Sequence, residues 1–526
     1  MALHGLQLVA ALLGTGAAGE LMEGSSAIPP LEVLDGEFGV VYVDASSRGE
    51  PSGLNAYLVK LAILTRLHTP GGVAERILHP LPTAEGGGEL PPLLMGRGSE
   101  NTKQAVVYAV ELASLLAVAE APEAYFGASP PRRLLLVRHG PILQMLSQYL
   151  SKPYIIDADD AVNALVYAGL ERGRALEILE YTHPCEASDL GYRQNRNKSV
   201  LGLLIIRLLE DLVDKARERG YGLAGVVEDT SRSRSLVAAA LASLLRARPP
   251  ARGKTHRDWA KNWAESLRGA AEAVSTEKMG DCLCLERELL GDLLASHKEW
   301  EEVLRAVKEV AVTRFTINSI EELLIGGHEG ELEASIIWSG VMPDMTDSEL
   351  LYTLHYLTAR KPPFDYPATR ELSHSGRLAI TRYYLEQKGL VRCGTAEWLE
   401  RALGKLEAMR YRYLAPSDPP KCDDLAGSRL GLRPCELAEL QTVPPAIRLE
   451  YLEGMEMLEE AVALTVYPAR LVLYGYPPQL LVVDHYSRIK PSEAMAFHAI
   501  AGELARRLQP YGYFIRSWER RIASIL

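Results

Sequence analysis

Hydrophobic and polar positions along the chain follow two different periods. Short apolar runs rich in β-branched residues occur at 37–44 (EFGVVYVD), at 133–138 and directly after Gly220. Such runs predict buried strands. Apolar positions at helical spacing over 102–121 and 200–219 predict helices, and the second ends in basic residues before Gly220, as helix C-termini commonly do. Strands that alternate with long helices indicate an α/β protein.

The rest of the chain adds long helical stretches to this alternation. We expect a helix at 54–67 (LNAYLVKLAILTRL), mostly charged helix over 246–310, a strand at 333–340 and mainly helix over 347–440. Near the C-terminus, ARLVLYGYPPQLLVVDHYSRI predicts two short strands around a Gly-Tyr-Pro-Pro turn. The expected fold is therefore an α/β sheet core with large helical insertions.

These elements also predict how the chain is divided. We expect an N-terminal apolar helix that docks on this protein or on a partner, a core made of three separate pieces, and two helical insertions between those pieces. The predicted bounds are 1–30 for the docking helix, 31–245, 331–345 and 441–526 for the core, and 246–330 and 346–440 for the insertions.

Composition limits the classes of partner and compartment. The 526 residues carry a formal net charge of −11, which argues against a broad basic surface and confines any DNA contact to a local channel. Six scattered cysteines lack the spacing of a disulfide scaffold or a zinc site, so we expect reduced thiols and a cytoplasmic protein. The apolar opening, residues 1–20, is too short and glycine-rich to span a bilayer. We expect no membrane association.

Several polar residues stand where predicted strands end, and together they suggest phosphodiester chemistry. Asp44 closes VYVD and is followed by small residues, an arrangement that suits a divalent cation beside a phosphate. Glu111, in the following helix, could supply a second oxygen ligand, and His485 follows a predicted strand. The turn TSRSR at 230–234 offers hydroxyl and guanidinium groups to a nucleic-acid backbone. Metal-dependent phosphodiester hydrolysis uses this set of groups.

A second chemistry is suggested by LVRHG at 136–140, which resembles the motif of the histidine phosphatase superfamily. There the histidine attacks phosphorus while the arginine holds the phosphate. The motif comes late in this chain, and VVDHY at 482–486 lacks the glycine of the family's second histidine motif. A phosphate-binding loop at Gly253-Lys254-Thr255 is excluded, because Arg248 stands where its first glycine is required.

Four segments in order resemble the archaeal NurA nucleases: VYVDASSRG, LLLVRHGPI, AGVVEDTSRSRSL and YGYPPQLLVVDHYSRI. The resemblance spans about residues 35 to 490 and rests on the presence of these four segments in this order. It implies an RNase H-like mixed sheet, a homodimer, and degradation of single-stranded DNA or DNA ends with Mn²⁺ or Mg²⁺. It also implies a partner, the hexameric HerA-type translocase, in end resection for homologous recombination.

The resemblance assigns roles to individual residues. Asp44 takes the position of the first metal-binding aspartate, Glu111 that of the helical glutamate ligand, with Glu120 as the alternative, and His485 that of the late histidine. The residues expected to contact DNA are Ser46, Arg232, Ser233, Arg234 and Tyr476.

One position departs from the family pattern. His139 stands where the family has an aspartate, so we count it with Asp44 and Glu111 as a metal ligand that brings no negative charge. Two hypotheses follow. The chain is a metal-dependent nuclease, or it is a catalytically inactive NurA paralogue that guides DNA or serves as a scaffold. Asp157, in YIIDADDA, is expected to begin a helix and is the first replacement carboxylate to test in a rebuilt site.

Overall fold

The computed structural model describes about half of the chain, mostly in its N-terminal half and in pieces near the C-terminus. The main described ranges are 26–49, 57–78, 92–95, 99–143, 154–182, 198–227, 396–415, 446–469 and 477–495, with short pieces between 146 and 149 and between 347 and 385.

A large mixed β-sheet forms the centre of the described structure. Its strands are β1 (Ser26–Ala27), β2 (Phe38–Gly49), β3 (Tyr57–Thr69), β4 (Gly72–Leu78), β5 (Leu93–Met95), β6 (Leu134–His139), β9 (Gly222–Val227), β10 (Phe364–Tyr366), β11 (Leu372–Ser373), β12 (Met409–Ala415) and β13 (Ile447–Leu452), while β7 (Ile155–Asp157) and β8 (Lys198–Val200) form a separate pair. The order along the sheet is β1-β10-β12-β13-β9-β6-β2-β3-β4, with β11 beside β12 and β5 beside β3. Strands β2, β6 and β9 run parallel, and their neighbours are antiparallel.

Helices cover both faces of this sheet. The described helices of eight or more residues are α1 (Glu100–Glu120), α3 (Ala158–Tyr167), α4 (Arg172–Leu179), α5 (Leu201–Arg219), α6 (Ala396–Leu406), α7 (Leu458–Ala469) and α8 (Pro478–Ser487), and a short α2 (Glu123–Phe126) follows α1. Helices α1, α5 and α6 share one hydrophobic core with one face of the sheet, and α7 and α8 share another with the opposite face. The mixed sheet and its two helical layers confirm the α/β class.

The side chains of β2 show how the two faces are divided. Val41, Val43 and Ala45 lie in the core shared with α1, whereas Val40 and Tyr42 lie in the core shared with α7 and α8. Successive strand residues point to opposite faces, so Asp44 falls on the α8 face. This alternation determines which candidate site residues can meet.

Most predicted elements near the site are confirmed. The strands predicted at 37–44 and 133–138 are β2 and β6, the strand after Gly220 is β9, and the two long helices are α1 and α5. Gly220 ends α5 in the left-handed conformation, with φ 66°, as predicted for a glycine stop. The strand predicted at 333–340, the insertion 246–310 and the apolar residues 1–20 lie outside the described residues.

Three stretches differ from the predicted secondary structure. Residues 54–67 were expected to be helical, but Tyr57–Thr69 is strand β3. Because this strand is buried on both faces, its apolar residues form a continuous run that lacks the alternation typical of a half-exposed strand. The run QLLVVDHYS was expected to be a strand and is helix α8, which begins at Pro478 in the first helical turn, where proline is favoured. In addition, β10, β11 and β12 lie within 347–440, where mainly helix was expected.

One described helix is long and apolar enough to cross a membrane by composition, Asn101–Glu120, and 83% of that window is buried inside the protein. It is the main part of α1 and packs between the sheet and α5. Its apolar character is therefore explained by core packing.

Candidate active site

Asp44 lies within a strand rather than at the end of one. The sequence predicted a turn directly after this residue, but β2 continues to Gly49 and stays paired with β3 throughout. The parallel neighbour β6 pairs with β2 only as far as Val43. Asp44 is thus the first residue beyond the end of that parallel pairing, and its side chain is buried.

Two polar side chains meet Asp44 on the α8 face. The Nδ1 atom of His139, at the end of β6, lies 3.1 Å from Asp44 Oδ1. The hydroxyl of Ser487, at the end of α8, donates to Asp44 Oδ2. Both carboxylate oxygens of Asp44 therefore face protein groups.

Glu111 approaches the same point of β2 from the other face. It comes from the middle of α1, and its Oε1 accepts a hydrogen bond of 2.9 Å from the backbone amide of Ala45. Its Oε2 accepts from Arg138 Nε at 2.7 Å, and Arg138 Nη2 also contacts it. The Arg138 guanidinium lies over the ring of Tyr108, 4.4 Å from the ring centroid, and donates to the carbonyl of Pro141.

The electrostatics of this pair are dominated by burial. The Glu111 side chain is only 2% exposed, and this burial raises the pKa of Glu111 to about 7, while the nearby Arg138 acts to lower it and Asp44 adds to the rise. Burial by itself would lower the pKa of Arg138, but the Glu111 carboxylate raises it above its ordinary value. Arg138 is therefore a permanent cation fixed against Glu111.

The loop after His139 is held by a second buried carboxylate. Glu450, on β13, accepts from the amides of Ile142 and Leu143 at 2.7 and 2.9 Å, and its Oε1 lies 3.2 Å from Arg448 Nη2. The amide of Gly140 also donates to the carbonyl of Val226, at 2.8 Å. These contacts fix the position of the Arg138-His139 end of β6.

We tested whether Asp44, Glu111 and His139 suit a Mn²⁺ or Mg²⁺ ion, and the arrangement does not fit. Such ions need several free, ionised oxygen ligands. Here the Glu111 oxygens are held by an amide and a guanidinium, and the added positive charge of Arg138 opposes a second cation nearby. Across the residues that the structure describes, no group of three or more His, Cys, Asp or Glu side chains could hold a metal ion.

Three of the four predicted catalytic residues converge, and the fourth lies on a neighbouring element. Asp44, Glu111 and His139 meet around the end of β6. His485 is two residues before Ser487 in α8 and is exposed, with its ring against Tyr486. Its predicted position after a strand is wrong, because α8 is a helix.

The alternative carboxylates are engaged elsewhere. Glu120, at the end of α1, pairs with Arg174 at 3.0 Å. It lies nine positions after Glu111 in the helix, about 14 Å along the axis. Asp157 precedes α3 as its N-cap and pairs with Lys198, as expected for an acidic helix start. Of the predicted DNA contacts, Ser46 lies on β2, while Arg232, Ser233, Arg234 and Tyr476 are outside the described residues.

Sequence reasoning missed Ser487 and the role of Arg138. The motif LVRHG presented Arg138 as a phosphate-holding group, but here Arg138 is buried against Glu111 on the α1 face, and His139 is on the α8 face. The two side chains therefore do not form a shared phosphate site in this structure. The sequence did contain a signal for this separation. LLLVRH was predicted to be a strand, and adjacent residues of a strand, here Arg138 and His139, point to opposite faces of the sheet.

Comparison with known proteins gives a remote structural similarity. No family model matches the chain, and no curated protein matches it. Among solved structures, the NurA nuclease from Sulfolobus solfataricus is similar over 94% of both chains, with 10% sequence identity and a TM-score of 0.34. A TM-score this low establishes neither a shared fold nor membership of that family, and the RNase H-like topology stays a prediction.

Proposed function

We propose that this chain is a NurA-like subunit that guides a DNA strand without cutting it. The four ordered sequence segments support a DNA-processing role, together with the homodimer and the HerA-type hexameric translocase partner that the resemblance implies. The observation that carries the non-catalytic assignment is the Arg138 guanidinium on the Glu111 carboxylate. A side-chain cation stands where a nuclease would need a free ligand for a metal ion.

A second candidate is a Mn²⁺- or Mg²⁺-dependent DNA nuclease of the single-strand endonuclease or 5′–3′ exonuclease type. The observation that favours it is the meeting of Asp44 and His139, 3.1 Å apart, beside Glu111. This is the convergence of distant segments that the nuclease hypothesis requires. The two candidates differ in whether the convergent residues bind metal.

Incubation of the full chain with labelled single-stranded DNA and Mn²⁺ separates the two functions. We expect the DNA to be bound and to stay intact, because the Glu111 carboxylate is already engaged. Degradation that is lost in Asp44→Ala would instead establish the nuclease. Degradation that survives Asp44→Ala would show that the chain is a nuclease in which Asp44 has no catalytic role.

The variant His139→Asp tests descent from a nuclease. It places a second carboxylate beside Asp44, at the position where the resembled family has one. If the wild type does not cleave DNA and this variant does so in the presence of metal, the site is that of an inactivated nuclease.

A further inference from the structure

A row of hydrogen-bond donors continues from Asp44 along the α8 face of the sheet. Ser46 and Arg48 follow at alternate positions of β2, which puts them on the same face. Lys60, on β3, is the register partner of Ser46. Three donor side chains are therefore adjacent and lead towards the buried carboxylate of Asp44.

This row is covered by residues 487–495, which we call the covering segment. The Ser46 hydroxyl donates to the carbonyl of Ser487 at 2.5 Å, and Arg48 Nη1 donates to the carbonyl of Ile489 at 3.2 Å. Lys60 Nζ lies 2.7 Å from the Glu493 carboxylate. Each of the three donors thus meets an oxygen atom of the covering segment.

The chemistry of the row is that of a phosphate-binding surface. Arginine, lysine and serine side chains are common donors to nucleic-acid phosphate oxygens. A lysine as buried as Lys60, with 2% of its side chain exposed, is unusual unless a negative group meets it. Glu493 supplies that negative group from within the chain.

The covering segment is held differently from the helix that precedes it. Leu480 and Val483 anchor α8 in the large core on this face, whereas Ile489 and Ala494 share a small separate cluster with Leu58. A segment with few buried apolar contacts opens at lower cost than the core around it. Opening at 488–495 would break the contacts of Arg48 with Ile489 and of Lys60 with Glu493, while α8 and its Ser487 contact to Ser46 stay in place.

We propose that Ser46, Arg48 and Lys60 form a binding site for the sugar-phosphate backbone of single-stranded DNA, which the covering segment occupies with its own oxygen atoms. The inference rests on the proposed function in taking DNA as the ligand. It adds Arg48 and Lys60 as contacts and makes Glu493 the competitor of a phosphate. DNA bound there would run beside Asp44 and His139.

Binding of a labelled single-stranded oligonucleotide by the full chain, measured by fluorescence anisotropy, tests this site. Glu493→Gln is expected to raise the affinity about three- to tenfold, because Lys60 loses its internal anion. The double variant Lys60→Met/Glu493→Gln is expected to lose that gain. Glu218→Gln is the matched control, since it removes the same charge from a Lys215 pair on α5, and it is expected to leave the affinity unchanged.

Arg48→Gln gives an independent readout, because Arg48 is exposed and its loss leaves the core intact. We expect a loss of affinity of about threefold or more and a smaller salt dependence, with Lys215→Gln as its control. DNA binding by the wild type that none of Glu493→Gln, Lys60→Met/Glu493→Gln and Arg48→Gln alters would overturn this site and leave the proposed function standing. Absence of DNA binding in the wild type and every variant would overturn both.

Discussion

At the scale of residues, neighbouring side chains of β6 serve different faces of the sheet. Arg138 contacts Glu111 from α1, while His139 contacts Asp44, which also meets Ser487 from α8. The two acidic groups lie beside one stretch of β2 but have separate partners. The site therefore resembles two small polar clusters that share a strand.

The buried ion pair of Glu111 and Arg138 should be strongly coupled in stability. Arg138→Met leaves the Glu111 carboxylate buried without its cation, and we expect a loss of about 3–5 kcal/mol in the free energy of unfolding. Adding Glu111→Gln should recover part of that loss, because the buried charge is removed as well. Chemical denaturation of the two single variants and the double variant measures the coupling.

The same substitutions at an exposed pair provide the control. Lys215→Met and Glu218→Gln, three residues apart on α5, are expected to show no measurable coupling. Additive losses at Glu111 and Arg138, as at this control pair, would contradict the structural importance of the buried pair.

The sequence grouped Asp44, Glu111, His139 and His485 in one site, but it did not predict how these side chains are paired. His139 lies 3.1 Å from Asp44, and Glu111 accepts from the adjacent Ala45 amide on the other face of the sheet, whereas His485 is exposed on α8. The pairing of Glu111 with Arg138 depends on how closely α1 packs against the sheet. This is a tertiary distance, and local sequence patterns do not predict it. Ser487 was missed because the β-branched apolar run LLVVDHYS was predicted to be a strand, whereas it is helix α8 and ends at Ser487.

At the scale of elements, burial on both faces explains the main errors. In β3, Tyr57, Val59, Leu61 and Ile63 face the α1 core, while Ala62 faces the α8 core. The alternation of polar and apolar residues that marks a half-exposed strand is therefore absent. Helices α1 and α5 were predicted well because their length exceeds that of any strand in the sheet.

The close contact between β9 and the loop after His139 can be tested by one substitution. A Cβ atom at Gly225 would lie 2.6 Å from the Gly140 carbonyl oxygen and 2.7 Å from Ile142 Cγ1. Gly225→Ala should therefore displace the loop from Glu450 and cost about 1–3 kcal/mol in the free energy of unfolding. Thermal or denaturant unfolding measures this loss.

Gly404→Ala, in α6, is the matched control for that substitution. Nothing lies within 4 Å of a Cβ placed at Gly404, so the same change should stabilise the protein by about 0.5–1 kcal/mol through helix propensity. Equal effects at the two glycines would show that the loop does not press on β9.

At the scale of the whole molecule, the sheet collects strands from both ends of the described chain. Strand β9 pairs with β6 on one side and with β13 on the other, although more than 200 residues separate β9 from β13 in sequence. Sequence periodicity predicted the α/β class but not this order, because long-range pairing is decided by which buried faces match. The net charge of −11 is consistent with confining DNA contacts to a local surface.

If the Arg138 guanidinium takes the place of a metal ion beside Glu111, the chain should not bind Mn²⁺, and Mn²⁺ binding tests this proposal most directly. Titration of the full chain with Mn²⁺ at neutral pH, followed by electron paramagnetic resonance, should show no stoichiometric site, and the melting temperature should be equal in Mn²⁺ and in EDTA. One tightly bound Mn²⁺ per chain that disappears in Asp44→Asn would contradict the account.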